Sequence, residues 1–197
     1  ELLDAAGINH AVDISSDNVE DIVAFANKTG YPQVMKVVGP VHKSDVGGVS
    51  LNVKDEAHVR AEFERLIKIK DTYAVQAYPM LFGTEIFIGA MRTPLFGHQV
   101  LCGLGGIFVE VLKDVQAGLA PIGVAEAKAM IKRLRGYKII QGVRGQDPVN
   151  EDLYADQIAR VAALVQAAPE IAEMDLNPLL GSPTAVVSVD ARIRIDK

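Results

Sequence analysis

The sequence predicts an α+β fold in two lobes, and three observations point to it. Helix-period segments and short strand-like runs alternate up to Lys70. Beyond Lys70, short strand-like runs separated by glycine and proline take over. Of the 197 residues, 49% are hydrophobic, enough to build a core in each lobe. The small lobe is expected over roughly 9–75 and the large lobe over about 76–197, with residues 1–8 able to pack on either.

The elements follow in order. Leu2, Leu3 and Ala6, stopped by Gly7, make a short opening helix. Asp17 with Glu20 reads as a capping-box start for a helix carrying Val19, Ile22, Val23 and Ala26 on one face, which Gly30 and Pro32 terminate. Residues 33–38 (QVMKVV) and 49–53 (VSLNV) read as strands joined by the loop GPVHKSDVGG. Asp55 then starts a helix that buries Val59, Phe63, Leu66 and Ile67. YAVQAY (73–78), EIFIGAM (85–91), HQVLCG (98–103) and GIFVEVL (106–112) read as short strands. Helices are expected at about 124–134 and 151–167, and final strands near 171–176 and 185–190.

Composition excludes several classes of function. A net charge of −5 provides no broad basic field for nucleic acid or an anionic membrane, so any phosphate site must be a local cluster. No apolar stretch approaches the roughly 20 residues of a membrane helix, and the first residues lack the order of a signal peptide. The single cysteine, Cys102, excludes an internal disulfide and agrees with a cytoplasmic setting. Its apolar neighbours make it a buried hydrophobe. The opening Glu1 in place of methionine reads as an excised domain.

GLGGIF (103–108) is not a dinucleotide fingerprint, since Phe108 occupies the third glycine position, and no P-loop pattern exists. Two other constellations carry chemistry. Lys36 lies mid-strand between Met35 and Val37, so its ammonium either snorkels to solvent or meets an anion. Downstream, Gly47 and Gly48 allow backbone N–H groups close to a phosphate; the alternative is an ordinary turn. Near the C-terminus, Asn177 in EMDLNPLL and Asp190 in VSVDARI offer oxygen ligands suited to Mg²⁺. Asn177 can equally be a turn residue before Pro178, and Asp190 a surface partner of Arg192 or Arg194. Glu85 opens a strand where it can accept ribose hydroxyls, help hold a metal, or stand as an ordinary acid at a strand start. Gln76 and Tyr78 sit where the lobes would join; backbone groups there can read an adenine edge between apolar walls, and the alternative is a simple inter-lobe strand. His42, between Lys36 and the glycine pair, can act as a phosphoryl-accepting nucleophile or remain polar surface. His10, His58 and His98 carry no such signal.

GYP-x-V-x-K, HKSDVGGVSLNV, GTEIFIGAMRTPLFG, GLGGIFVEVLKDV, GVRG, DLNPL and VDARI occur in order across nearly the whole chain. Together they resemble the ATP-grasp subunit or domain of NDP-forming acyl-CoA synthetases, the ADP-forming acetate–CoA ligase type related to succinyl-CoA synthetase. The resemblance implies an ATP-grasp fold holding nucleotide between two lobes. It implies Lys36 and the Gly47–Gly48 loop on the phosphates, Gln76 and Tyr78 beside adenine, Glu85 on the nucleotide side, and Asn177 and Asp190 as Mg²⁺ ligands. It further implies ATP or ADP as the nucleotide, His42 as a second phosphoryl carrier, and a phosphohistidine on a separate CoA-binding part. The partners so implied are the CoA-binding and ligase domains or subunit, neither of which is recognisable here. Gln33 and Gly39 stand where the family more often has Val and Ser. A second class is a regulatory ATP-grasp domain fused to a protein acetyltransferase; the presence of Lys36, His42, Glu85, Asn177 and Asp190 argues against a degenerate module.

Overall fold

The computed structural model describes residues 1–40, 43, 46–106, 113–143 and 145–196. It divides into two compact units, Ala11–Leu81 and a larger one made of Glu1–His10 with Phe82–Lys197.

The small unit is built on a sheet of four antiparallel strands in the order β1-β4-β2-β3: β1 (Ile14–Ser16), β2 (Gln33–Val38), β3 (Val49–Val53) and β4 (Ala74–Pro79). Helices α2 (Val19–Thr29) and α3 (Glu56–Leu66) follow β1 and β3. The cap of α2 is Asn18, whose side chain accepts from the Glu20 N–H at 3.0 Å, and not the expected Asp17. Asparagine reaches an N–H two residues on as well as aspartate does, so sequence alone does not separate the neighbours. Asp55 caps α3 by accepting from the His58 N–H at 2.9 Å. Met35 and Val37 of β2 pack with Val75 and Ala77 of β4 against Ile22, Val23, Val59, Phe63 and Leu66 of the helices. Strand alternation therefore turns Val34 and Lys36 to the opposite face, with their register partners Tyr78 and Gln76.

The boundary expected near residue 76 falls at Leu81/Phe82. β4 pairs with both β1 and β2, and those ladders tie it to the small unit.

The larger unit holds β5 (Thr84–Thr93), β6 (Gly97–Leu104), β7 (Val115–Leu119), β8 (Ile171–Gly181), β9 (Val186–Ser188) and β10 (Ala191–Ile195). The order is β10-β8-β5-β6-β7, and β9 also pairs with β8. Its helices are α1 (Leu2–Ala5), α4 (Val124–Lys132), α5 (Tyr137–Ile140) and α6 (Glu151–Ala167). Ile86, Ile88, Val100, Met174 and Leu176 of the sheet form one core with Ile131 of α4 and Tyr154, Ile158 and Val161 of α6. The opening segment belongs to this unit. Leu2 and Leu3 lie on its core, the Ser188 N–H donates to the Asn9 carbonyl at 3.0 Å, and the Asn9 N–H donates to Gln157 at 2.9 Å. β1, β7, α5 and β10 are additions to the sequence reading. Of the strand expected over 106–112, residues 107–112 lie outside the described residues.

Candidate functional site

In the small unit the candidates gather on the sheet face turned away from α2 and α3. Lys36 and Gln76 are direct register partners, with Tyr78 two residues along β4. Lys36 is 7% exposed, and its Nζ stands 4.9 Å from the centroid of the Tyr78 ring. Lys36 is thus buried beside an aromatic face, a contact that the sequence reading, which weighed solvent against an anion, did not foresee. The Gln76 side chain donates to Asp13 at 2.8 Å. At the start of β3, the Gly48 N–H donates to the Lys43 carbonyl at 2.7 Å, and the Gly48 carbonyl accepts from the Val37 N–H at 2.9 Å. A Cβ on Gly48 would lie 2.5 Å from Val37 Cγ2, so this turn closes only around glycine. His42 lies outside the described residues.

In the larger unit the candidates gather around Gly106. The Asn177 side chain accepts from the Gly106 N–H at 3.0 Å, and the Glu85 carbonyl accepts from the Gly105 N–H at 2.8 Å. A Cβ on Gly106, whose φ is +60°, would fall 1.7 Å from Glu85 Oε2, so the Glu85 carboxylate lies directly over that glycine. Glu85 and Asn177, distant in sequence, are thus brought to one turn. A β-bulge does part of this work. Ile86 pairs with Leu179 but Ile88 pairs with Leu176, so β8 spends an extra residue at Asn177–Pro178 and re-aims the asparagine. Asp190 sits between the β8 pairings Ser188↔Leu179 and Ala191↔Leu176, which places it across from Asn177–Pro178. A cleft of about 680 Å³ adjoins Glu85, walled by Phe82, Thr84, Ile139, Val143, Gln146 and Asp147.

Asp175 is a site residue the sequence reading missed. It lies two residues before Asn177 on the same strand, opposite Arg192 and Gly89. Burial pushes its carboxyl above the ordinary range. Arg192 opposes that shift, while Asp190 and Glu173 add to it. The available signal was its position two residues from Asn177 in a strand of period two. Because the folded chain holds this pKa above its unfolded value, the stability contribution is full at acid pH and is lost as pH rises through the folded value. Asp175→Asn should therefore raise the unfolding midpoint at neutral pH, with the gain shrinking toward acid. A thermal melt series showing a lowered midpoint at neutral pH would refute this. A carboxylate kept against stability marks a site candidate.

Cys102 is buried and its thiol is pushed up to about 12 by burial, so it stays neutral and acts as a core residue. His98 is also structural, buried with Nε2 at 2.6 Å from the Ile171 carbonyl.

Among the described residues no group of three or more His, Cys, Asp or Glu side chains stands ready to hold a metal. An oxygen set of Asn177 and one or two carboxylates fits Mg²⁺, which takes few protein ligands and completes its shell with waters and phosphate oxygens.

Two α+β units, each built on an antiparallel sheet with helices packed on it, are the architecture of an ATP-grasp protein. A family model described as the ATP-grasp domain matches residues 1–195, and the chain belongs to that family. It is 42% identical over 89% of its length to subunit beta of the ADP-forming acetate–CoA ligase I of Pyrococcus furiosus, covering 80% of that subunit. With the ADP-forming acetate–CoA ligase I of Archaeoglobus fulgidus it shares 40% identity over 98% of its length, yet spans only 29% of that longer protein. Among solved structures, it is similar to a chain of acetyl-coenzyme A synthetase 1 of Ca. Korarchaeum cryptofilum, in complex with coenzyme A and Ca-AMPCP. The TM-score there is 0.92 with 36% identity, covering 98% of this chain and 89% of that one. Another structure of that synthetase contains Mg-AMPPCP, with a phosphohistidine segment pointing towards the nucleotide binding site. No helix among the described residues is long and apolar enough to cross a membrane.

Proposed function

We propose that this chain is the nucleotide-binding, phosphoryl-transferring part of a cytoplasmic ADP-forming acyl-CoA synthetase, which interconverts acid, CoA and ATP with acyl-CoA, ADP and phosphate. The observation that carries this reading is the near-full-length likeness to a chain of the synthetase solved in complex with coenzyme A and Ca-AMPCP. In this reading Lys36 neutralises phosphate charge and the Gly47–Gly48 turn lies against the phosphates. Gln76 and Tyr78 flank the base, and Glu85 accepts from the ribose. Asn177 and Asp190, with Asp175 beside them, hold Mg²⁺, which supplies charge neutralisation to the phosphates when bound. These are positioning and electrostatic roles, the greater part of what phosphoryl transfer requires. The CoA-binding and acyl-phosphate steps belong to the partner portion of the synthetase, in keeping with the 29% share of the single-chain relative. His42 takes the phosphoryl group from the partner's phosphohistidine through a ring nitrogen and passes it to ADP. An imidazole ring nitrogen is a competent phosphoryl acceptor and donor.

Calorimetric titration of the chain with ADP or ATP, with and without Mg²⁺, tests the reading. Mg²⁺-dependent binding is expected, and a folded chain without affinity for either nucleotide would overturn it. The His42 step is tested in the same system completed with the partner portion and labelled ATP. Acid-labile, base-stable label should appear on this chain and vanish in His42→Ala. Turnover that survives that substitution means direct transfer.

A further inference from the structure

We propose that Arg65 is a positioning residue for nucleotide binding, holding the Gly47–Gly48 turn in place from the helix-covered side of the small sheet. The inference rests on the functional reading above and adds to it a residue outside the nucleotide-facing set.

Arg65 stands in the last turn of α3, whose first turn is fixed by the Asp55 cap. Its guanidinium is spread over three acceptors. Nη1 donates to the Gly47 carbonyl at 2.8 Å, Nη2 donates to Ser50 Oγ at 2.7 Å, and Nε and Nη2 donate to Glu62 Oε2 at 3.0 and 2.7 Å. Ser50 Oγ also donates to the Glu62 carboxylate, closing a ring of three side chains, Arg65, Ser50 and Glu62. Ser50 pairs with Met35 in the β2–β3 ladder, and Met35 belongs to the helix-side core, so the network lies on the face opposite Lys36. Arg65 first, and Ser50 after it, hold the Glu62 carboxyl below its ordinary range against the opposing effect of burial, so the carboxylate persists through neutral pH.

What this network grips is one peptide plane. The carbonyl of Gly47 is taken by Arg65, and the N–H of the same peptide, on Gly48, is taken by the Lys43 carbonyl. Gly47 adopts φ +65°, and neither glycine has a side chain to restrict it. Without the guanidinium, a two-glycine segment regains the largest backbone freedom available to a chain. Any N–H geometry offered to a phosphate would then have to be ordered at the moment of binding. A lysine could reach one of these acceptors but not all three, because only the planar fork presents donors in several fixed directions.

The experiment pairs two measurements on the full chain: amide hydrogen exchange at Gly48, and calorimetric titration with Mg-ADP. Arg65→Gln is compared with Arg60→Gln. Arg60 sits on the same helix and binds Glu20 and Glu56 at 2.6 and 2.8 Å, away from the glycines. Arg65→Gln should speed Gly48 exchange and weaken Mg-ADP binding, each on the order of tenfold. Arg60→Gln should change either quantity by no more than about twofold. Should Arg65→Gln fail to fold, Arg65→Lys decides on the same two readouts, with smaller changes in the same direction. Wild-type exchange and affinity in the Arg65 variants would overturn the proposal, as would equal losses in Arg60→Gln, which would mean general loosening of α3. A folded wild-type chain indifferent to Mg-ADP overturns the functional reading, and the nucleotide part of this proposal with it. Binding that survives Arg65→Gln overturns only the clamp.

Discussion

Lys36→Ala should weaken Mg-nucleotide binding by roughly 10- to 150-fold, the equivalent of a charge-assisted contact worth about 1.5–3 kcal/mol. The expectation follows from where the ammonium is held. Lys36 lies in the middle of β2, 7% exposed, with Gln76 opposite on β4 and Val49 opposite on β3, and its Nζ is over the Tyr78 ring. An aromatic face offsets part of the cost of removing a cation from water, on the order of 0.5–2 kcal/mol, which is less than burial of an ammonium costs. The ring holds the ammonium on the sheet face that carries Gln76 and Tyr78, where an arriving phosphate would meet a positive charge already in place. Lys36→Met separates the two terms, since it retains the aliphatic stem and removes only the charge. It should lose about the same affinity as the alanine variant while keeping the packing of the stem. Titration and a thermal melt of each variant are sufficient. Unchanged affinity in Lys36→Met would refute the phosphate role, and a sharply lowered midpoint would mean that the charge serves the fold.

Much of this fold was legible because local pattern and tertiary role agree. β2, β3 and α6 occupy the residues their apolar pattern predicts. The elements missed are those whose pattern says little. β1 is Ile-Ser-Ser, and β7, Val115–Leu119, has no fully buried residue. β10 alternates isoleucine with arginine, yet no residue of it is buried. Such strands are held by pairing with a neighbour, which is not written in their own residues.

The site divides in the same way. Lys36 and Asn177 were legible as polar residues out of place in apolar strands. Asp175 was not, because a carboxylate at an alternate strand position is what a solvent face would show. Gly106 was not, because its need to be glycine comes from Glu85, 21 residues earlier in sequence on β5. Arg65 was hidden for the same reason. Its partners Gly47 and Ser50 lie 18 and 15 residues away, and in its own helix it reads as ordinary surface charge.

Tyr154→Phe should destabilise the larger unit by about 2–4 kcal/mol, a fall of roughly 5–15 °C in its midpoint. Tyr154 is fully buried on α6, with its ring in the core and its hydroxyl at the Phe87↔Gly103 pair of the β5–β6 ladder. The hydroxyl lies 2.8 Å from the Phe87 carbonyl and 3.0 Å from the Gly103 carbonyl, sharing its proton between them, and it accepts from the Gly103 N–H at 3.1 Å. Phenylalanine keeps the packing and deletes all three contacts, leaving buried backbone groups short of a partner. That omission costs more than the bonds themselves contribute. Burial raises the tyrosine pKa well above its ordinary value, so the neutral donor persists into alkaline conditions and the loss should be the same at neutral and mildly basic pH. The position of the hydroxyl gives the substitution a second readout. Phe87 follows Glu85 by two residues and marks the register shift of β5 against β8, and Gly103 precedes the Gly105–Gly106 turn that touches Glu85 and Asn177. Loosening that pair should therefore weaken Mg-nucleotide binding by a few-fold at temperatures where the variant is folded, well short of the Lys36 effect. A melt and a titration of one variant decide the matter. A midpoint within about a degree of wild type would mean that another group satisfies those backbone atoms and that α6 does not brace the site.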